Sequence, residues 1–372
     1  MPFPIILSEG YSPSLDNVTT YEDSTIPLQS IIYEFSPLEF GSYDPNLAHF
    51  IPAAHLGTFM KNGKVDGGKC ASGFDNAAFV IGASANLFHE YNVSAPAVFE
   101  GGIEPVIELI NATVGYQAGL ELDTSAVPNP FHKIKSVVKG LSYPDEGQAQ
   151  LRLVDGGLDD EVDPVTPLAA PARGVELIIV ADAVADTSEH KPDGASLTAF
   201  LTRQSYFPDG TASHPPLPKT TDTFIAQGLN TRPTFFGCNA TPAKLHGKKQ
   251  RAGAAYPFMV YLPNYDPTGV TNQSTAVTTY SRDLATSFLN AADQIGHNGI
   301  LSATGEADAA WATCMACAVV ERARGKAGVD RTADCGECFE RYCWSEVEAD
   351  VTVAKRAESG RGHSRDFEMA RE

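Results

Sequence analysis

The cysteines of this 372-residue chain constrain its fold more than any other feature, because they can tie distant segments together through a metal ion or through disulfides. Two Cys-x2-Cys pairs are separated by seventeen residues. These pairs consist of Cys314, Cys317, Cys335 and Cys338. That spacing lies within the range of a four-thiolate zinc site. Zinc is therefore the first interpretation to weigh.

Two features of the sequence favour disulfides over zinc. Cys314 and Cys317 lie in an apolar pattern of helical period that has no glycine, whereas zinc knuckles usually use a tight turn. Cys343 follows closely, and Cys70 and Cys238 lie elsewhere in the chain, which suits a disulfide network that pins two helices. Because the total of seven is odd, at least one cysteine has no disulfide partner within the chain. Zinc stays open as the alternative.

The segment Leu151-Arg-Leu-Val-Asp155-Gly-Gly157 has the composition of a short buried strand followed by a sharp turn. Asp155 stands at the carboxyl end of this strand. In open α/β sheets that end collects ligands and catalytic groups, so Asp155 is a candidate acid or base. Asp-Gly dipeptides also begin ordinary turns. From these seven residues alone, both interpretations stay open.

Strands and helices alternate between residues 150 and 265, which predicts an α/β layer architecture. The carboxyl part is predicted to be helical. The expected strands are 31–35, 151–154, 175–181, 234–236 and 258–262, and the expected helices are 74–91, 195–206, 222–229, 284–295, 306–324 and 333–344. Residues 38–45 are expected to form a glycine-bearing loop. We expect one domain over 1–344 and a charged, disordered tail over 345–372.

The charge balance limits the classes of partner. A net charge of −19 repels phosphate backbones, so the chain is not expected to bind nucleic acid. No apolar run is long enough to span a bilayer, and the first residues do not resemble a signal peptide. Five Asn-x-Ser/Thr sequons nevertheless favour a secretory protein with glycosylation candidates. These are Asn17, Asn92, Asn111, Asn239 and Asn272.

A search for catalytic motifs finds a carboxylate but no evident nucleophile. The Gly-x-Ser-x-Gly elbow does not occur, and Ser84 and Ser196 each follow only its first half. Neither a phosphate-binding loop nor a dinucleotide fingerprint is present, so no cofactor is expected. The acidic run from Asp155 through Asp159, Asp160, Glu161 and Asp163 lacks the spacing of an EF-hand and is interpreted as a solvated loop.

Several blocks, in a fixed order, resemble the fungal lysophospholipases, also called phospholipase B, over about residues 1–344. The blocks are Tyr33-Glu-Phe-Ser-Pro-Leu-Glu-Phe-Gly-Ser-Tyr-Asp-Pro45, Cys70-Ala-Ser-Gly-Phe-Asp-Asn-Ala-Ala-Phe79, Leu153-Val-Asp-Gly-Gly157, Arg232-Pro-Thr-Phe-Phe-Gly-Cys238, Val260-Tyr-Leu-Pro-Asn264 and the final cysteine pairs with Cys343-Trp344. The resemblance implies a lipase/patatin-like, three-layer α/β/α domain related to cytosolic phospholipase A2. It also implies hydrolysis of acyl esters of phospholipids or lysophospholipids at a transient membrane or micelle surface.

Family members use a serine–aspartate dyad, and their Val-Asp-Gly-Gly block matches Asp155. The resemblance therefore assigns Asp155 the role of base. The family's nucleophile lies in Gly-Leu-Ser-Gly-Gly-Ser-Trp, upstream of the equivalent of Met1-Pro-Phe-Pro4. We therefore expect this chain to be the carboxyl-side part of an enzyme, incomplete at its amino end and inactive alone. The parent protein is expected to be secreted or at the cell surface.

The match has departures, and a second hypothesis stands beside it. Family members usually continue Asp-Gly-Gly with Glu-Asp, where this chain has Leu158-Asp159. The carboxyl end also lacks a hydrophobic anchor signal. The alternative is a catalytically inactive fragment or a non-enzymatic module clamped by disulfides.

Overall fold

A computed structural model describes residues 2–22, 24–87, 124–238, 256–274, 279–299 and 306–345. The chain divides into two compact units. Unit 1 consists of Met1–Ala170 and Thr202–Ala212. Unit 2 consists of Pro171–Leu201 and Ser213–Glu372. The predicted tail, from residue 346 onward, lies outside the described residues.

Unit 1 is built on a six-stranded sheet whose strand pairs are all antiparallel. Its strands, in chain order, are β1 (Ile6–Gly10), β2 (Ile32–Phe35), β3 (Glu39–Ser42), β4 (His49–Pro52), β7 (Ser125–Pro128) and β8 (Gln150–Asp155). Their spatial order is β4-β3-β2-β1-β8-β7. A separate two-stranded ribbon contains β5 (Met60–Lys61) and β6 (Lys64–Val65). The strand that carries Asp155 is therefore an inner strand, between β1 and β7.

One face of this sheet is covered by an aromatic and aliphatic core. Tyr33 stacks with Phe40 and with Phe131, and Leu151 and Leu153 of β8 are buried in the same cluster. Alternation along β8 sends Leu151, Leu153 and Asp155 to this face. Asp155 thus continues the apolar face of its own strand beyond the core.

Helix α1 (Ala77–Ser84) packs beside β1 and β8. Asn76 caps it by accepting a hydrogen bond from the Phe79 N–H at 3.0 Å. The sequence predicted a helix over 74–91. The observed helix ends at Ser84, residues 85–87 are not helical, and residues 88–91 lie outside the described part of the chain.

Unit 2 contains a three-stranded sheet in which β11 lies between β10 and β9. The strands are β9 (Leu177–Asp182), β10 (Thr234–Phe236) and β11 (Phe258–Pro263). β9 and β11 are parallel, whereas β10 runs antiparallel to β11. Each strand lies within two residues of its prediction, because continuous apolar composition marks buried strands well.

The other α-helices among the described residues are, in chain order, α2 (Thr166–Ala169), α3 (Ala195–Gln204), α4 (Thr221–Ala226), α5 (Arg282–Asn298), α6 (Trp311–Ala327) and α7 (Ala333–Tyr342). α3 begins in unit 2, and its last turn belongs to unit 1. Five of the six were predicted from apolar periodicity, and their ends are shifted by a few residues. No prediction anticipated α2.

One prediction about unit 1 is wrong, and one argument about Asp155 does not apply to its sheet. Residues 38–45, expected to be a loop, contain β3, because Phe40 packs into the core while Gly41 lets the chain approach Phe50 of β4. The argument for Asp155 from the carboxyl ends of strands assumed a parallel sheet. β8 instead has antiparallel neighbours on both sides. The position of Asp155 must therefore be argued from its own contacts.

Candidate active site

The backbone around Asp155 is held from two sides. Asp155 lies opposite Ser8 in the register of β1 and β8. On the other side, the Asp155 N–H donates to the Asn86 carbonyl at 3.0 Å, and the Gly156 N–H donates to the Ser84 carbonyl at 3.2 Å. The segment that ends α1 therefore fixes the start of the turn.

The carboxylate of Asp155 organises the turn that follows it. Its Oδ1 accepts a hydrogen bond from the Gly157 N–H at 2.9 Å, which forms an Asx turn. A Cβ added to Gly156 would lie 2.9 Å from the Leu7 carbonyl oxygen, so β1 leaves no room for a side chain there. The turn and catalytic interpretations are compatible, since the turn uses Oδ1 and leaves Oδ2 without a hydrogen bond among the described residues.

The surroundings make Asp155 a stronger base than an exposed aspartate. Burial raises the pKa of Asp155 above its ordinary value, and the hydrogen bond from Gly157 offsets part of that rise. The side chain is only partly buried. A carboxylate with a raised pKa and a free oxygen can accept a proton from a hydroxyl group.

Two serines lie close to Asp155 along the backbone contacts, but neither donates to its carboxylate. Ser8 is completely buried, and its hydroxyl has no hydrogen-bond partner in the described part of the chain. Ser84 is half-buried and contacts the turn through its main-chain carbonyl. A dyad between Asp155 and a serine is therefore not assembled within the described ranges.

The acidic residues after Asp155 do not form the solvated loop that the sequence predicted. Asp159 and Glu161 are completely buried, and both contact the guanidinium of Arg203 in α3. The Nε of Arg203 donates to Glu161 Oε2 at 3.0 Å. Sequence reasoning missed Arg203 and also Glu9, because nothing in the local pattern joins a helix to a strand almost two hundred residues away.

A second set of carboxylates follows β9 in unit 2. Asp182 is buried and accepts a hydrogen bond from the Tyr261 hydroxyl at 2.7 Å. Burial raises the pKa of Asp182, and burial together with Asp193 raises the pKa of Asp186 to about 8. Asp193 Oδ1 accepts from the Ala195 N–H at the start of α3. These contacts hold Asp182 at the end of β9 and Asp193 at the start of α3.

The four cysteines of the paired motifs form two disulfides, Cys314–Cys338 and Cys317–Cys335. A third disulfide joins Cys238 to Cys343, and Cys70 is exposed and free. All four sulfur atoms of the two Cys-x2-Cys pairs are therefore in disulfides and cannot act as thiolate ligands, which excludes the zinc alternative in this structure. Among the described residues, no group of three or more histidine, cysteine or acidic side chains could hold a metal ion.

Two of the five sequon asparagines belong to the described residues. Asn17 is exposed and Asn272 is half-buried. The predictions for Asn92, Asn111 and Asn239 lie outside the described ranges. Within those ranges, no helix combines the length and the apolar character that a bilayer span requires.

Comparison with known proteins gives a consistent set of relatives. A family model described as the lysophospholipase catalytic domain matches residues 1–349. The chain is 34% identical to Lysophospholipase 2 of Aspergillus fumigatus, with 93% of this chain and 54% of that protein covered. It is 32% identical to a lysophospholipase of Penicillium chrysogenum, with 92% and 52% covered. The chain spans about half the length of the curated relatives it matches.

Among solved structures, human GIVD cytosolic phospholipase A2 matches with a TM-score of 0.52 and 15% sequence identity. The match covers 87% of this chain and 42% of that protein. At this identity the likeness concerns the fold alone. It supports the cytosolic phospholipase A2-like fold that the resemblance implied.

Proposed function

Because the chain belongs to the family of lysophospholipase catalytic domains, we propose that it supplies the base for hydrolysis of acyl esters of glycerophospholipids, chiefly lysophospholipids. The observation that carries this proposal is the state of Asp155. It ends an inner strand, its backbone and one oxygen are held, and burial raises its pKa.

In the proposed reaction Asp155 works with a serine hydroxyl. The carboxylate takes the serine proton while the serine oxygen attacks the ester carbonyl. As the tetrahedral intermediate collapses, Asp155 returns that proton to the departing glycerol oxygen and an acyl-serine forms. Water then attacks the acyl-serine, Asp155 takes a proton from the water and returns it to the serine, and the fatty acid leaves. Asp155 carries the proton in both the acylation and the deacylation step, so neither step requires a cofactor.

The test is the substitution Asp155→Asn in the longest form of the protein that the gene encodes. The amide keeps an acceptor oxygen for Gly157 but is no base, so kcat for lysophosphatidylcholine should fall by about a hundredfold to ten-thousandfold. Fatty-acid release measures the rate, and circular dichroism checks the fold. Asp209→Asn, at an exposed Asp-Gly dipeptide of the same unit, is the matched control. Near-normal turnover by Asp155→Asn would overturn the proposal.

For the 372 residues alone we expect no release of fatty acid, because they contain no Gly-x-Ser-x-Gly pentapeptide. Clear turnover would instead place a nucleophile within this chain, and Ser8 and Ser84 would be the first serines to substitute. If neither this chain nor any longer product of the gene hydrolyses the ester, the alternative of an inactive module clamped by disulfides stands.

We also propose a secretory location and a transient contact with membranes or micelles. The three disulfides support an oxidising compartment, and five sequons agree with it. Treatment of the natural protein with an endoglycosidase should lower its apparent mass, with Asn17 as the exposed acceptor among the described residues. An unchanged mass would contradict glycosylation.

A further inference from the structure

A buried cluster of one arginine and four carboxylic acids lies beside the Asp155 turn in unit 1. The arginine is Arg203, and the acids are Glu9, Asp44, Asp159 and Glu161. Arg203, Glu9, Asp159 and Glu161 are completely buried. Burial of this many charged groups is costly unless they are paired and hydrogen-bonded. The contacts of the cluster therefore show which segments it ties together.

Arg203 connects segments on both sides of Asp155. Its Nη2 lies 3.5 Å from Glu9 Oε1 of β1 and also contacts Asp159, while its Nε donates to Glu161. Its Nη1 donates to the Ser30 carbonyl at 2.8 Å. One planar guanidinium therefore holds the strand that pairs with Asp155 and the loop that follows it.

Several hydrogen bonds of this loop end on the carboxylates of Asp159 and Glu161. The Glu161 N–H donates to Asp159 Oδ1 at 2.9 Å. The carboxylate of Glu161 accepts from both the N–H and the hydroxyl of Thr166, at 2.6 and 2.8 Å. The Leu158 carbonyl accepts from the Thr25 N–H at 3.0 Å. Arg203 lies at the centre of this arrangement because it binds both carboxylates.

The loop and the Asx turn of Asp155 share their backbone. Gly157, whose N–H binds Asp155 Oδ1, is followed directly by Leu158 and Asp159, and its carbonyl accepts from the Asp160 N–H at 3.2 Å. Asp160 has a φ of +68°, a conformation that costs energy for a residue with a side chain. The contacts of Arg203 with the two flanking residues, Asp159 and Glu161, restrain this part of the loop.

We propose that Arg203 is a positioning residue, which holds the Asp155 turn in the geometry needed for proton transfer by binding Asp159, Glu161 and Glu9 at once. Its catalytic importance rests on the proposed function of Asp155. The mechanical part, that Arg203 holds the turn, is independent of that function. The two parts can therefore be measured separately.

The electrostatics of the cluster agree with this role. Burial raises the pKa of Glu9 to about 8, against the opposing effect of Arg203, and Asp155 is one of the charges that raise it further. Burial also raises the pKa of Glu161 to about 8. At neutral pH these two acids are mainly protonated, so the negative charge around Arg203 is smaller than four ionised carboxylates would give. Asp155 and Glu9 lie within electrostatic range of each other.

The experiment compares the variants Arg203→Met and Arg203→Lys with the unchanged chain by amide hydrogen exchange. Loss of the contacts made by the Arg203 guanidinium should speed exchange at Gly157, Asp160 and Glu161 by about tenfold to a hundredfold, the range for a lost hydrogen bond to a charged group. Lysine keeps the positive charge but lacks the planar guanidinium with its several donors, so Arg203→Lys should restore part of the protection of these amides against exchange. Exchange in the buried part of β8 should stay slow.

Arg322→Met is the matched control, since Arg322 is a buried arginine of unit 2 that binds the carbonyls of Tyr256 and Gly237. It should leave exchange at Gly157 unchanged. If Arg203→Met does not fold, Asp159→Asn replaces it, because the amide keeps the acceptor for Glu161 but removes the charge that Arg203 binds. Unchanged exchange at Gly157 in the folded variants overturns the inference.

A second readout separates positioning from general stability. The Asp155 carboxyl is followed by carbon-13 NMR and assigned with Asp155→Asn. The closed turn supplies both the burial that raises the pKa of Asp155 and the Gly157 hydrogen bond that lowers it, so opening of the turn in folded Arg203→Met should shift that pKa, and an unchanged pKa would contradict positioning. In a form that hydrolyses lysophosphatidylcholine, kcat should fall by about tenfold or more while KM changes little. If Asp155→Asn retains activity, the function fails, and exchange at Gly157 still decides whether Arg203 holds the turn.

Discussion

Gly156 shows how closely β1 and the Asp155 turn fit together. The ideal Cβ position of this residue lies 2.9 Å from the carbonyl oxygen of Leu7 and 3.1 Å from its carbonyl carbon. Neither atom can move aside without displacing the β1 backbone, which is paired with β8 from Ser8 onward. The glycine is required for space rather than for an unusual φ, since its φ is not positive.

We predict that Gly156→Ala destabilises unit 1 by about 1–3 kcal/mol, the usual cost of overpacking a tight site. The variant should also loosen the hydrogen bond from Gly157 to Asp155. Hydrogen exchange at increasing denaturant measures both effects, with the amides of β1 and β8 reporting the stability and the Gly157 N–H reporting the hydrogen bond. Gly147→Ala is the control, because its Cβ would meet nothing within 4 Å. Equal stability of the two variants would contradict the close approach seen here.

Helices α6 and α7 are joined by two disulfides whose geometry follows from helical spacing. Cys314 and Cys317 lie on one face of α6, and Cys335 and Cys338 lie on one face of α7, since residues three apart are neighbours on a helix. The bonds are nested, with Cα separations of 5.2 Å for Cys314–Cys338 and 5.5 Å for Cys317–Cys335. This pairing gives unit 2 a covalent clamp around the core residues Trp311 and Phe339.

We predict that removing the Cys317–Cys335 bond, by changing both residues to serine, lowers the stability of unit 2 by about 3 kcal/mol, as expected for a loop of this length. Removing Cys238–Cys343, which closes 105 residues, should cost more, about 5 kcal/mol. Both tryptophans, Trp311 and Trp344, lie in unit 2. Their fluorescence during denaturation therefore reports this unit alone. A smaller loss for the longer loop would contradict the prediction.

At the scale of the whole molecule, buried acids dominate the response of unit 1 to pH. Burial raises the pKa of Glu9 and Glu161 to about 8, and that of Asp44 and Asp145 to about 6. In the unfolded chain these groups ionise near pH 4. The folded state therefore binds more protons than the unfolded state between about pH 4.5 and 8, and its stability falls as pH rises through this interval.

We predict that the thermal midpoint of unit 1 decreases from pH 5 to pH 8, measured at constant salt to screen the net charge of −19. The substitution Glu9→Gln should flatten this slope, because a permanently neutral side chain has no proton to lose. In unit 2, Asp308 and Glu321 add no slope over this interval, because hydrogen bonds and arginines lower their pKa values and they are ionised in both the folded and the unfolded state. Asp186, whose pKa burial raises to about 8, adds to the same downward trend. A midpoint of unit 1 that rises over the same interval would contradict the prediction.

Local patterns in the sequence determined several features of this protein. Continuous apolar runs predicted β9, β10 and β11, and apolar residues at helical spacing predicted most of the helices, because each pattern reflects which residues are buried. The ordered blocks predicted the family, and the family model and the curated relatives confirmed it. Asp155 could be placed at the end of a strand for the same reason. For the two Cys-x2-Cys pairs, the sequence favoured disulfides but left a zinc site open as the alternative.

The tertiary structure alone decided which groups meet. It paired Cys314 with Cys338, set β8 between antiparallel neighbours, and buried Asp159 and Glu161 against Arg203. No local pattern specifies these contacts, because each joins residues that are distant in sequence. An acidic run looks the same in sequence whether water or a guanidinium neutralises it. The difference lies in the strand and the helix that folding brings to its side.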